Sequence, residues 1–358
     1  MKQLVPKFTN AGDFTTEVKN VVYEYFDSHG ISEKGDWRLY QKTIVLFSLF
    51  FALYFFIVGM APPWWLKLFA VVLLGRYILP GIGFCVMHDA LHGSYSKKAW
   101  INTVAGLSLN FLGANDTLWK TKHNIIHHTH TNIDGFDEDI ETAERLRLHE
   151  EQPWRPRHRH QHKWWYWRFF YSLLYLQWVW WNDYKKYFTR RILYKSPIAF
   201  SPGEHVLFWM SKVVHILFFV VVPMYTLGVW QWVIGYSVMS LSCGLKIATV
   251  FQLAHSVDET QHPSAATVHK TEWFRHQVVT TADFAVENSV LSWWVGGLNF
   301  QIEHHLFPGF SHVHYPVIHR LIKPICQKHG VQMVVHNTMR DALASHVRFL
   351  KLLGRRPV

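Results

Sequence analysis

The sequence predicts an all-α integral membrane protein, in which four transmembrane helices carry a cytoplasmic helical cap. Three observations lead there. No Asp, Glu, Lys or Arg occurs from Thr43 to Leu66 or from Val213 to Leu245, and each run exceeds the roughly 20 residues that cross about 30 Å of hydrocarbon. Hydrophobic residues make up 49% of the 358 residues and are concentrated in blocks. Eight histidines fall into three short clusters and one outlier, none of them within those blocks.

Taken in chain order, residues 1–40 form a mixed polar segment with Lys19, Glu24, Asp27 and Lys34, expected on the cytoplasmic side. The first apolar run begins behind this segment, which is not the layout of a cleavable secretory signal, so the run reads as an anchor that stays. A membrane domain is expected over 41–335, with spans at about 43–62, 64–86, 206–227 and 231–253. Ala61-Pro62-Pro63 turns the first pair, and Gly228-Val229-Trp230 turns the second. Ile101 to Ala114 is too short to cross. Phe169 to Trp181, rich in Trp and Tyr and flanked by Arg168 and Asp183, reads as a helix lying in the interface. Residues 336–358 are expected to form a C-terminal cytoplasmic tail.

With that count, two crossings precede His88, none separates His88 from His123, and two separate His128 from His255. All eight clustered histidines then share one face, whereas a crossing at 169–181 would divide them. The cations beside the spans fit this placement in part. Lys67, Lys212 and Lys246 lie near enough to an end to snorkel, but Arg76 falls past the middle of span two and needs a polar partner or a water-filled cavity.

The net charge of +11 is concentrated between Arg145 and Lys195. Basic residues beside spans mark the cytoplasmic side and meet anionic headgroups, and no nucleic-acid module accompanies them. Cys85, Cys243 and Cys326 are too few and too apolar in surroundings for a disulfide framework or a thiolate metal site.

The histidine clusters carry the chemistry. His88 and His92 in HDALH are four apart, so a helix prolonged beyond span two would stack both on one face. His123 and His127 in HNIIHH repeat that spacing, while His128 points about 100° away and suits a neighbouring metal or the other side of the same one. His304 and His305 in QIEHH diverge in a regular helix, and Pro308 soon ends it. His255 follows span four directly. Convergent neutral imidazoles without matching thiolates or paired carboxylates suit iron, and their number suits more than one ion. Asn124, Asn132, Gln301 and Glu303 are the expected orienting partners of the rings.

Other histidines are expected to be bland. His158, His160 and His162 alternate with cations in a tract expected to face headgroups, His312 and His314 are expected at the interface, and His130 is left outside the ligand set. The run Asp134, Asp137, Glu138 and Asp139 reads mainly as a solvated loop.

HDALHG at 88–93, HNIIHHTHTN at 123–132 and GGLNFQIEHHLFP at 296–308 resemble the three histidine boxes of the membrane-bound fatty acid desaturases, and FQLAHSVDE resembles that family's further ligand-bearing stretch. The likeness runs from about residue 40 to about 335. It implies a histidine-rich site of two iron ions (a non-haem di-iron centre) on the cytoplasmic face, held by His88, His92, His123, His127, His128, His255, His304 and His305. It further implies an acyl-CoA or acyl-lipid substrate in a tunnel, O2 as co-substrate, and removal of two neighbouring hydrogens to leave a cis double bond. Gln301 stands where many acyl-CoA desaturases carry a histidine, which is similar to front-end and related acyl-lipid branches and leaves one iron to be completed by water, Gln301 or another residue. The HPGG motif of a fused cytochrome b5 domain does not occur, so a separate ferredoxin or cytochrome b5 is the expected electron donor, in a bacterial inner membrane or the endoplasmic reticulum. A fatty acid or sphingolipid hydroxylase on the same scaffold is the nearest alternative, and a non-enzymatic histidine-rich membrane protein a more distant one.

Overall fold

The structure is a computed structural model that describes residues 5–141, 145–193 and 198–357. An amphipathic helix opens it. In α1 (Asp13–Ser28) Phe14, Val18, Val22 and Phe26 recur at every fourth position and form the buried stripe. The first long apolar helix, α2 (Trp37–Gly59), starts where the Asp36 carboxylate accepts the backbone N–H of Arg38 at 2.9 Å, and stops ahead of Pro62-Pro63. Its 23 residues rise about 34 Å, enough to cross a bilayer.

The second, α3 (Trp64–Leu91), has 28 residues and rises about 42 Å, some two turns more than hydrocarbon requires. That excess carries His88 beyond the apolar layer. Its ladder widens to π-helical turns at Leu74–Ile78 and Gly83–Met87, a distortion common near functional sites. α4 (Ala99–Phe111) follows, then α5 (116–127), capped by the Asn115 side chain and widened from Lys120 to His127. A helical run α6 (164–189), broken at Leu173, leads to the third and fourth membrane-length helices, α7 (Pro202–Leu227) and α8 (Val229–His255). Ser201 and Glu204 form a reciprocal cap on α7. Exposed Trp64, Trp65, Tyr225 and Trp230 ring the end of the bundle where both short turns lie, as aromatic residues do at membrane surfaces.

The sequence-expected spans correspond to α2, α3, α7 and α8, and α6 is not among the membrane-length helices. Instead α6 buries Tyr171, Tyr175 and Val179 in cores shared with α8. A Cβ at Gly244 of α8 would stand 2.3 Å from Ser172 O, so the missing side chain is what lets the break in α6 seat there. Lys212 does not snorkel: it is buried, and its Nζ reaches Asp183 Oδ2 at 3.3 Å and Gly113 O at 2.5 Å. Arg76 is half-buried, with no hydrogen-bond or ion-pair partner found among the described residues.

The remaining elements build a layer over one end of the bundle: α9 (Trp273–Thr280), β1 (Ala282–Phe284), α10 (Ser289–Trp294), α11 (Gln301–Leu306), α12 (Tyr315–Lys328), β2 (Val334–His336) and α13 (Met339–Leu353). β1 and β2 pair in parallel, Ala282 opposite Val334. Phe14, Val18, Phe274, Phe300, Ile302 and Ile318 share one core, so the segment 1–40 contributes α1 to this layer rather than standing apart. The segment 336–358, expected as a tail, likewise supplies α13, whose Leu350 O accepts from Gln161 Nε2 at 2.8 Å. Residues 1–4 and 358 of those two segments lie outside the described ones, as does Lys195.

Candidate metal centre

Four elements deliver the eight histidines to one place. α3 brings His88 and ends at His92, α5 brings His123 and His127 with His128 just after it, α8 ends in His255, and α11 holds His304 and His305. α11 reaches this position through Gly296, which has φ +60° and whose absent Cβ would lie 2.4 Å from Phe84 O of α3. All eight imidazoles therefore meet at the end of the bundle away from the short turns, as the four-span count requires.

Ring centroids lie 4.5 Å apart for His88 and His304, 4.4 Å for His128 and His305, and 4.7 Å for His127 and His255. The ligand-type atoms form overlapping groups, each with all members within 4.8 Å of one another: His88, His92, His123 and His304; His127, His255 and His305; His128, His304 and His305; and His123 and His127 with Asp139. Adjacent His304 and His305 thus belong one each to the first two groups, and the third joins them through His128. Seven of the eight are buried and His92 is partly exposed.

Buried ring nitrogens lack protein partners, and they point inward. Nε2 of His88, His92, His304 and His305, and Nδ1 of His128 and His255, make no hydrogen bond in the protein. An orphaned buried nitrogen costs about 1–3 kcal/mol, so this many in one cluster fit a bound metal that accepts their lone pairs. His92, His123, His128, His304 and His305 are held well below the usual imidazole range, first by burial and then by one another's charge. They are neutral at pH 7 and in the state that binds metal.

The opposite edges of the rings are held. His127 Nδ1 donates to Asp137 Oδ2 at 2.9 Å and His305 Nδ1 to Gln277 Oε1 at 2.8 Å, while His304 Nδ1 lies 3.0 Å from Tyr315 OH. The carboxylate and the amide oxygen put the proton of His127 and His305 on Nδ1 and leave Nε2 as the ligand, and the Tyr315 hydroxyl at Nδ1 leaves His304 Nε2 free in the same way. Burial lowers His127, but the charge and hydrogen bond of Asp137 outweigh it and raise its pKa. The Gln301 amide nitrogen lies 3.0 Å from His255 Nε2.

Several expectations about the surroundings change. Asn124 and Asn132 touch no ring: Asn124 donates to Leu91 O, and Asn132, left-handed at φ 56°, donates to His255 O and Thr280 O. Glu303 faces away from the rings and accepts from His319 Nδ1 at 2.8 Å, and Asp283 accepts from the same nitrogen at 3.1 Å. Asp137 is fully buried, so the acidic run is not simply a solvated loop. His158, His312 and His314 are buried rather than interfacial; His312 bridges Asp89 at 3.0 Å and Lys42 at 2.9 Å. Among the ring partners, neither Gln277 nor Tyr315 lies within a helical turn of any of the eight clustered histidines, since long-range folding places them.

Four membrane-length helices beneath a buried cluster of neutral imidazoles define a membrane protein equipped to hold metal. Comparison with known proteins narrows the class. Residues 62–337 match the fatty acid desaturase family, to which the chain belongs. It is 33% identical over 347 residues to the sn-1 linoleoyl-lipid 6-desaturase of Arthrospira platensis, covering 96% of this chain and 93% of that one. The protein of the same name from Synechocystis sp. is also 33% identical, with 98% of both chains covered. Acyl-lipid (8-3)-desaturase of Physcomitrium patens is 32% identical over 96% of this chain and 72% of its own. The protein is thus an oxidoreductase that desaturates fatty acyl chains.

Proposed function

We propose that this desaturase acts on acyl chains esterified in membrane lipids, using two iron ions held by His88, His92, His123, His127, His128, His255, His304 and His305. The observation that carries the reading is the convergence of eight imidazoles, six of which have a buried ring nitrogen without a protein partner. An acyl-lipid substrate is supported by the names of the similar proteins, and the linoleoyl 6-position of two of them is the first to test. When bound, the iron pair supplies the oxygen chemistry that removes two neighbouring hydrogens. The overall balance takes one O2, two electrons and two protons to one alkene and two waters.

The chain's own part is to hold and orient. His304 and His305 are turned by Tyr315 and Gln277, and His127 is turned and made more basic by Asp137. Gln301 occupies one edge of His255 and presents an unpartnered Oε1 beside it. The electrons come from a separate ferredoxin or cytochrome b5. Lys97, Lys98, Lys120 and Lys122 lie in the polar segments on the histidine side, while the two short turns opposite hold no charge, which supports a cytoplasmic site in a bacterial inner membrane or the endoplasmic reticulum.

The test is expression with a working electron donor, followed by analysis of lipid-bound acyl chains. A new cis alkene that disappears in His127→Ala, together with bound iron, is the expected result. A hydroxylated product without alkene, an alkene undiminished in His127→Ala, or activity confined to free acyl-CoA would refute the corresponding part of the reading.

A further inference from the structure

A second meeting of ligand-type side chains, outside the imidazole cluster, involves the segment that follows α5. Asp134, Glu141 and His149 each bring one such atom within 4.8 Å of the other two. His149 is only 3% exposed, and neither of its ring nitrogens has a hydrogen-bond partner. Its Nε2 stands 3.5 Å from Asp134 Oδ1 and 3.8 Å from Glu141 Oε1. Those separations are long for an N–H···O bond, which usually ends near ~3.2 Å. They suit ligands around a common ion: donors about 2.1 Å from a tetrahedral metal stand about 3.4 Å from each other.

The charge balance points the same way. The neighbouring cation is committed elsewhere, since the Arg147 guanidinium donates to the carbonyls of Gln152, Glu150 and Leu353.

We propose that Asp134, Glu141 and His149 form a second metal site, distinct from the eight-imidazole cluster, that takes one divalent first-row transition ion such as zinc. An imidazole with two carboxylates suits zinc better than calcium or magnesium, which favour oxygen alone. The ion's position makes it structural. It ties the loop containing Asp137, the partner of His127, to the segment that Arg147 anchors on the end of α13.

The experiment is a zinc titration of the full chain in lipid nanodiscs, counting tightly bound zinc per chain for the wild type, Asp134→Asn and His149→Gln. Each variant is expected to bind one equivalent fewer, or that equivalent more than about tenfold more weakly. Zinc should raise the melting temperature of the wild type beyond that of either variant. Asp134 is partly exposed, so its variant keeps the test open if the buried His149 variant fails to fold. Equal stoichiometry and affinity in the wild type and Asp134→Asn would overturn the proposal. Because the readout is a difference between chains with intact imidazole clusters, it stands whatever metal that cluster takes.

Discussion

Asp137 Oδ2 lies 2.9 Å from His127 Nδ1, and the same oxygen accepts the backbone N–H of Asn132 at 2.9 Å. One buried carboxylate thus sets the direction of a ring and the path of the chain that follows it. Asn132 in turn donates to His255 O at 2.9 Å, which ties the second histidine cluster to the end of the fourth membrane helix.

From this, Asp137→Asn should lower metal retention about 10–100-fold, because the ring loses its charged partner while the shape is kept. Asp137→Ala should also destabilise the fold, since the N–H groups of Asn132 and Asp139 lose an acceptor, at about 1–3 kcal/mol for each group left buried. Metal analysis and thermal unfolding separate the two effects. Wild-type iron content in Asp137→Asn would remove the carboxylate from this role.

Tyr315→Phe deletes the hydroxyl that holds His304 Nδ1. We expect roughly tenfold weaker iron retention with little change in stability to unfolding. Combined with His304→Ala, the loss should not add, since both changes act on one ring. Additive losses in iron binding would show that the tyrosine acts elsewhere.

His319 is raised to about 10: burial lowers it, but the carboxylates of Asp283 and Glu303 at its Nδ1 prevail. Because the folded-state pKa lies above the unfolded value of about 6.5, its stabilisation is fully present below that value and is lost as pH rises through about 10. His319→Gln should therefore melt below the wild type at pH 6, and the gap should close toward pH 10. Melting curves across that range decide it; a gap independent of pH would rule the charge out.

Gly244→Val places a side chain against Ser172 O, which a Cβ would approach to 2.3 Å. The backbone cannot yield as a side chain would, so a loss of about 1–3 kcal/mol or more is expected. Thermal unfolding monitored by size exclusion should show it, and an unchanged melting temperature would mean that α6 is free to shift.

The sequence by itself determined the membrane class and the four spans, because a run without charges long enough to cross hydrocarbon is a local property that no packing reverses. It also marked the eight histidines, since spacing of four along a helix is local too. Tertiary structure decided which residues hold those rings. Gln277 and Tyr315 reach His305 and His304 only through the folding of α9, α11 and α12 over the bundle, and Asp137 became a ring partner only because its loop turns inward. Burial of His158, His312 and His314 was equally out of reach, since a polar residue's exposure depends on what the rest of the chain lays over it, and hydropathy along the sequence carries no record of that.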